Sequence, residues 1–265
     1  MALSFEPPGA PAPRRSSVTW LLVILVGLIL VIGVLIAAIY VAYSGDMGVS
    51  VVRMEGTIVT GEISGEDFSA SEQVGRELRT AADDPMIEAI VLRVNSPGGT
   101  PAAAQEIIRD LEYAKTKKPV VVSMGDMATS AAYYVSAHAD RIYADPDTFT
   151  AGIGVMWTFP DISQWMNKEG YNVSVVKSGS KKDMGSASRP ITEEELSYAQ
   201  GIVNASFEEF MNDVLAQRQI ARSDIEDGRV VRGADAVKIN LVDELGNVND
   251  AIDGARSLAS RSPLL

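Results

Sequence analysis

The stretch PVVVSMGDMATSAAYY, residues 119–134, determines how the rest of the chain is interpreted. Its β-branched run at 120–122 predicts a buried strand, and residues 125–129 predict a short turn after it. Ser130 then begins a helix of small residues. A serine at such a strand-to-helix turn presents its hydroxyl beside the free N–H groups of the helix start. The segment can therefore hold a nucleophile and an oxyanion site, and the alternative is that Ser130 only caps the helix.

Strand and helix patterns alternate outward from this stretch. Strands are predicted at 49–54 and 87–94, and helices at 71–82, with Ser71 as its cap, and at 102–115. This alternation is typical of an α/β fold with a mainly parallel sheet. Beyond Ser130 the patterns predict short strands at 140–144, 152–156 and 173–176, a helix at 161–169, a polar loop at 178–186, and a long helix at 192–217 that opens with a capping box.

Composition excludes several classes of site. The chain has 265 residues, no cysteine and a single histidine, His138, so thiolate and multi-histidine metal sites are excluded. Its net charge of −12 argues against nucleic-acid binding by the chain as a whole.

The N-terminal region predicts a membrane anchor. Residues 1–17 are Pro-rich and predict a disordered cytoplasmic tail, and residues 18–42 carry no charge. At about 1.5 Å per residue this uncharged stretch spans roughly 37 Å, more than a hydrocarbon core of about 30 Å. This length predicts a single-pass anchor at 18–43. Arg14 and Arg15 before it and Asp46 after it predict that the N-terminus is cytoplasmic. The domain at 46–265 is then extracytoplasmic. A cleaved signal peptide is the alternative.

A serine nucleophile requires a base that takes its proton. His138 lies eight residues after Ser130 on the same predicted helix, about 12 Å along the axis, so it is interpreted as structural. Lysine is the other base known for serine, provided that its surroundings lower its pKa. Lys181 and Lys182, in the Ser/Gly loop, are candidates, and the alternative is a solvated surface pair. Gly98 and Gly99 follow a predicted buried strand, where their backbone can approach a substrate closely; a simple turn at Pro97 is the alternative.

Four segments together resemble the signal peptide peptidase A family of membrane-anchored serine–lysine proteases. They are VNSPGG at 94–99, MGDMATSAAYYVSAHADRIYA at 124–144, SGSKKDMGSASR at 178–189 and DGRVVRGADAVKINLVDELG at 227–246. The resemblance covers nearly all of 49–250. It implies a crotonase-like fold shared with the Clp protease subunit, no metal or cofactor, and assembly into homo-oligomeric rings or bowls. The implied substrates are remnant signal peptides and other short hydrophobic peptides.

Carried over residue by residue, the resemblance makes Ser130 the nucleophile and Lys182 the general base, with Lys181 the less favoured neighbour. The implied oxyanion donors are the backbone N–H groups of Gly99, or else Gly98, and of Ala131.

This chain departs from the family pattern at two places. It has Ala131-Ala132 where the family usually has two glycines after the nucleophile, and Gly152 where the family often has a serine that orients the lysine. Thr150, Ser178, Ser180 or a water is then expected to orient Lys182. Two other functions stay open, a crotonase-like acyl-thioester enzyme and a non-catalytic membrane scaffold of the same fold.

Overall fold

The computed structural model describes residues 17–44 and 48–261, and within the first stretch the side chains of 20–36. The chain divides into two units, Met1–Met47 and Gly48–Leu265. The first contains one helix, α1 (Ser17–Ser44), whose described large apolar side chains are exposed. Among the residues described with their side chains, no helix is both long and apolar enough to span a membrane. The predicted anchor at 18–43 extends beyond those side chains and stays a prediction, and the tail predicted to be disordered lies outside the described residues except for Ser17.

The second unit contains a mainly parallel sheet, as the sequence predicts. The strands are β1 Gly48–Glu55, β2 Thr57–Val59, β3 Phe68–Ala70, β4 Ile87–Ser96, β5 Val120–Thr129, β6 Arg141–Ala144, β7 Phe149–Ala151, β8 Val230–Arg232 and β9 Glu244–Leu245. In the sheet they occur in the order β1-β4-β5-β6-β9 and are all parallel, while β7 pairs parallel with β5 and antiparallel with β8. A separate parallel pair is formed by β2 and β3.

Helices cover both faces of this sheet, because the central strands are apolar on both sides. Ile90 and Leu92 of β4 belong to the larger core cluster, whereas Ala89 and Val91 face the second cluster. The helices of this unit are α2 Ser71–Asp83, α3 Pro101–Lys115, α4 Ala131–Ala137, α5 Ser163–Lys168, α6 Glu193–Gln217, α7 Gly233–Ala236 and α8 Val248–Arg261. Residues of α2, α3, α4 and α6 contribute to the first cluster, and residues of α8 contribute to the second.

The stretch at 119–134 differs from its prediction in one respect. The turn predicted at 125–129 is wrong, since β5 continues through it to Thr129. The register between β4 and β5 is irregular between Val94 and Ser96, and β5 then takes β7 as a further partner over 127–129. Gly125 and Asp126, of types that usually indicate a turn, lie at this irregularity, and the strand resumes after them where residues 127–129 meet their second partner.

Four smaller predictions are also corrected or confirmed. Ser71 does not cap α2; it is the first helical residue, and its hydroxyl donates to a carboxylate oxygen of Glu106. The strands predicted at 152–156 and 173–176 are absent from the described residues, where both segments are irregular. The capping box of the long helix is confirmed, because Thr192 Oγ1 accepts from the N–H of Glu195, whose carboxylate accepts from the N–H of Thr192.

Candidate active site

Ser130 occupies a strained position between β5 and α4. Its backbone has φ 55° and ψ −126°, a region that non-glycine residues rarely adopt and that costs about 1–3 kcal/mol. Its N–H donates to the carbonyl of Ala151 at 2.8 Å, and its own carbonyl accepts from the N–H of Tyr134 at 2.9 Å. The side chain makes no capping hydrogen bond, so the interpretation of Ser130 as a cap alone is wrong. Strain of this kind, held by hydrogen bonds on both sides, is typical of a nucleophile at a sharp turn.

The glycine loop after β4 lies directly against Ser130. Gly98 has φ 105°, and a Cβ placed on it would come within 2.8 Å of the Cβ of Ser130. The carbonyl of Gly98 accepts from the N–H of Ile58 at 2.9 Å, and its own N–H donates to Ser96 Oγ at 3.1 Å. No side chain fits between this loop and the serine, which explains the glycine at 98 better than a simple turn does.

The hydrogen bonds of this loop separate the two glycines as oxyanion donors. The N–H of Gly98 is already used by Ser96, whereas the N–H of Gly99 donates to no acceptor among the described residues. The N–H of Ala131, at the start of α4, likewise has no acceptor there. Gly99 and Ala131 both line the cavity that contains Ser130. This pattern favours Gly99 and Ala131, which remain predictions, over Gly98.

The cavity beside Ser130 has a volume of about 760 Å³. The middle of α6, over residues 200–210, contributes to its lining. Its volume is in the range of sites that take drug-sized ligands, so it has room for several residues of a peptide. Its larger apolar lining residues are Tyr134, Ile153, Val155, Met156, Val203, Phe207, Phe210 and Val230.

Lys182 does not line this cavity. It is exposed, on a series of turns at 180–185. Of its lysine neighbours, Lys177 pairs with Asp183, and Lys181 pairs with Glu194, whose hydrogen bond raises the pKa of Lys181. Lys182 makes no ion pair within residues 48–261. Because a general base must give up its own proton readily, these pairs argue for Lys182 over Lys181.

Two of the four positions considered for orienting the lysine lie close to Ser130 or its strand, and the other two lie beside Lys182. Gly152 lies against the nucleophile, with φ 61°, and a Cβ placed on it would lie 3.3 Å from the N atom of Ser130. Thr150 is fully buried and its hydroxyl donates to the carbonyl of Ala128 at 2.9 Å, so it is already engaged. Ser178 and Ser180 lie on the same exposed segment as Lys182. Their role in orienting it stays a prediction.

His138 does not line the cavity that contains Ser130. It is buried at the end of α4, and its Nδ1 lies 2.9 Å from a carboxylate oxygen of Glu112 on α3. Its contact with α3 gives it a structural role.

The sequence did not predict that α6 lines the cavity; the apolar spacing of Val203, Phe207 and Phe210 was the available signal.

The site has the arrangement of an enzyme with a serine nucleophile. A strained serine lies at the end of a strand in a mainly parallel sheet, next to an apolar cavity and two N–H groups that have no acceptor among the described residues. The model of peptidase family S49 matches residues 112–261. The chain belongs to peptidase family S49. This supports the resemblance to signal peptide peptidase A and favours a peptidase over an acyl-thioester enzyme.

Individual relatives agree with this assignment. The chain is 36% identical over 223 residues to Protease 4 of Haemophilus influenzae, covering 83% of this chain and 36% of that protein. It is 38% identical over 182 residues to a putative protease of Methanocaldococcus jannaschii, covering 68% and 58%. It is 34% identical over 186 residues to a putative signal peptide peptidase of Enterococcus faecium, covering 68% and 54%. The chain thus spans between about a third and three fifths of these relatives' lengths.

Proposed function

We propose that the protein is a serine endopeptidase in which Ser130 is the nucleophile and Lys182 the general base. The observation that carries the proposal is the strained Ser130 in the lining of an apolar cavity, beside two N–H groups without acceptors among the described residues. Short hydrophobic peptides, remnant signal peptides among them, are the proposed substrates. The apolar lining of the cavity and the name of the Enterococcus relative support this choice.

In the proposed reaction, Ser130 Oγ attacks the scissile carbonyl carbon while Lys182 Nζ accepts the hydroxyl proton. The carbonyl oxygen becomes an oxyanion that the N–H groups of Gly99 and Ala131 stabilise. Lys182 then donates the proton to the leaving amine as the C–N bond breaks, which leaves an acyl-enzyme. A water, deprotonated by Lys182, then attacks the ester carbon; the bond from that carbon to Ser130 Oγ breaks, Lys182 returns the proton to Oγ, and the peptide fragment leaves with a new carboxyl group.

This reaction requires Lys182 to come within hydrogen-bond distance of Ser130, and the single chain leaves it outside the cavity. We propose that the enzyme is a homo-oligomer and that one copy supplies Lys182 to the cavity of another. The segment before Lys182 supports this, because its large apolar side chains are exposed, and such patches mark interaction surfaces. These residues are Met156, Trp157, Ile162, Trp165, Tyr171, Val173, Val175 and Val176.

We further propose that the N-terminal segment anchors the protein in the cell membrane, with the peptidase domain outside the cytoplasm. The uncharged sequence at 18–42, the helix α1 and the arginines before it support this topology. A membrane location would place the enzyme beside the hydrophobic peptides that it is proposed to degrade.

The experiment is hydrolysis of a fluorogenic apolar peptide by the full chain in detergent, with Ser130→Ala, Lys182→Ala and a mixture of the two variants. Each variant alone is expected to be inactive. The mixture regains activity if Lys182 acts across copies, because some sites then combine an intact serine with an intact lysine. As a matched control, Lys181→Ala keeps its activity. Equal hydrolysis by wild type, Ser130→Ala and Lys182→Ala would contradict the proposal.

A further inference from the structure

We propose that Arg189 is a positioning residue: it clamps the lysine-bearing turn to the start of α6 and keeps the neighbouring carboxylate of Asp183 away from Lys182. The inference rests on the proposed function, since it gives a role to a residue that acts through the general base.

The clamp consists of one guanidinium group between two carboxylates. Toward Asp183, the Nε and Nη2 atoms of Arg189 lie 2.9 Å from Oδ2 and 2.9 Å from Oδ1. Toward Glu195, its Nη1 and Nη2 atoms lie 2.8 Å from Oε2 and 2.6 Å from Oε1. Only 11% of the Asp183 side chain and 6% of the Glu195 side chain are exposed. Two-pronged pairs between partly buried groups fix geometry far better than exposed single contacts.

One side of the clamp holds the turn that carries the base. Asp183 directly follows Lys182, and the turn is closed by backbone bonds from Lys182 to Gly179 at 3.1 Å and from Ser186 to Asp183 at 3.0 Å. The pKa of the Asp183 carboxyl is held well below its usual range by the hydrogen bonds from Arg189 and, secondly, from Lys177. With Arg189 and Lys177 in place, both carboxylate oxygens of Asp183 are occupied.

The other side of the clamp holds the helix that lines the cavity. Glu195 also completes the capping box of α6 through the N–H of Thr192 at 3.0 Å. Further along the same helix, Val203 and Phe207 line the cavity beside Ser130. Arg189 therefore fixes the base-bearing turn to a helix of its own chain, so that the turn is presented to the cavity of the other copy in one position. Because an error of about 1 Å in the position of a reacting group costs about 10²-fold in rate, such a link affects turnover.

Charge gives the clamp a second effect. The ionisable groups around the turn are Lys177, Lys181, Asp183, Arg189, Glu194 and Glu195, and each of them is paired with another member of this set. Weakening the Arg189 pair frees Oδ2 of the carboxylate next to Lys182, while Lys177 still holds Oδ1. A free carboxylate there would stabilise the protonated lysine and make it a weaker base at neutral pH.

The test uses the full chain with a fluorogenic apolar peptide and measures kcat, KM and the pH profile of kcat/KM. In Arg189→Lys, the single ammonium group cannot replace the paired hydrogen bonds that the guanidinium makes to both Asp183 and Glu195. We expect kcat to fall by about 10²-fold with KM changed less than about twofold, and the acid limb of the profile to move to higher pH. Glu195→Gln keeps the capping box and the hydrogen bonds between Arg189 and Asp183, but weakens the link to α6. We therefore expect a lower kcat with the acid limb unmoved. Arg79→Lys, at an ion pair between α2 and α3, is the control and should match wild type.

Wild-type kcat and an unmoved acid limb in Arg189→Lys would overturn the inference, and so would a lower kcat with an unmoved limb. If Arg189→Lys does not fold, wild-type kcat in Glu195→Gln overturns it instead. The proposed function is tested separately: it is contradicted if Lys182→Ala still hydrolyses the peptide. If Lys182→Ala is inactive and Arg189→Lys has the kcat and pH profile of wild type, only the clamp is rejected.

Discussion

Substitution of Gly98 by alanine should damage catalysis much more than folding. The new Cβ would lie 2.8 Å from the Cβ of Ser130, 2.9 Å from the carbonyl oxygen of Thr129 and 3.0 Å from the N atom of Ala131. Carbon atoms in contact prefer about 3.5–4.0 Å, so the loop or the serine must move by roughly 0.7–1.2 Å. The serine hydroxyl and both proposed oxyanion donors are within reach of that movement.

The size of the effect follows from this displacement. A misplacement of about 1 Å costs about 10²-fold, and loss of one oxyanion donor costs about 10²–10³-fold. We therefore expect kcat to fall by about 10²–10³-fold. The backbone at φ 105° adds about 1–3 kcal/mol of strain, which lowers the melting temperature by roughly 2–12 °C for a domain of this size.

The assay is steady-state hydrolysis of the fluorogenic peptide, with thermal unfolding of the same samples. Gly201→Ala in α6 is the control, because a Cβ there meets nothing within 4 Å. It should keep its activity and gain up to about 1 kcal/mol in stability. A Gly98→Ala enzyme that is folded and has a kcat within about threefold of wild type would refute the placement of this loop beside the reacting serine.

Three other predictions concern the cavity and the clamp. Val203→Trp narrows the cavity and should raise KM for a long apolar peptide by about tenfold, with less effect on a short one; equal effects on both peptides would contradict the cavity as the substrate site. Thr192→Ala removes the capping box of α6 and should cost about 1 kcal/mol, or roughly 2–4 °C in a thermal melt, whereas an unchanged melt would count against it. Hydrogen bonds from Arg189 lower the pKa of Glu195 to about 2, so its contribution to stability is present above about pH 4.3 and is lost as the pH falls toward 2. Melts between pH 5 and pH 2 should therefore show a smaller loss in Glu195→Gln than in wild type, and identical curves would contradict the pairing.

The alternation of strand and helix patterns was sufficient to predict the class of the fold. β4, α3 and α6 were each located within a few residues, because their apolar spacing coincides with what the core buries. The continuation of β5 through Gly125 and Asp126 was not predictable from local signals. Neither residue pairs with β7 itself, and the strand resumes after them because residues 127–129 pair with β7, more than twenty positions away. The strand propensity of single residues is a weak guide where pairing with distant strands determines the structure.

Some residues of the site could be predicted from local sequence, and others depend on contacts that the sequence does not show. The strand-to-helix turn pointed to Ser130 locally, and the strain that distinguishes it from a cap is visible only in its backbone angles. The choice between Gly98 and Gly99 depended on where one N–H donates, which no spacing reveals. Lys182 came from the resemblance, and the single chain does not bring it to the cavity. The clamp at Arg189 joins residues whose individual patterns look like ordinary surface charge.

Activation of Ser130 by Lys182 can be tested without any peptide substrate. The full chain is labelled by a fluorophosphonate probe, and the adduct is located by peptide mass spectrometry. We predict one adduct, on Ser130, that is lost in Lys182→Ala and kept in Lys181→Ala. An adduct on another residue, or labelling of Ser130 at the same rate without Lys182, would contradict the proposed roles of both residues.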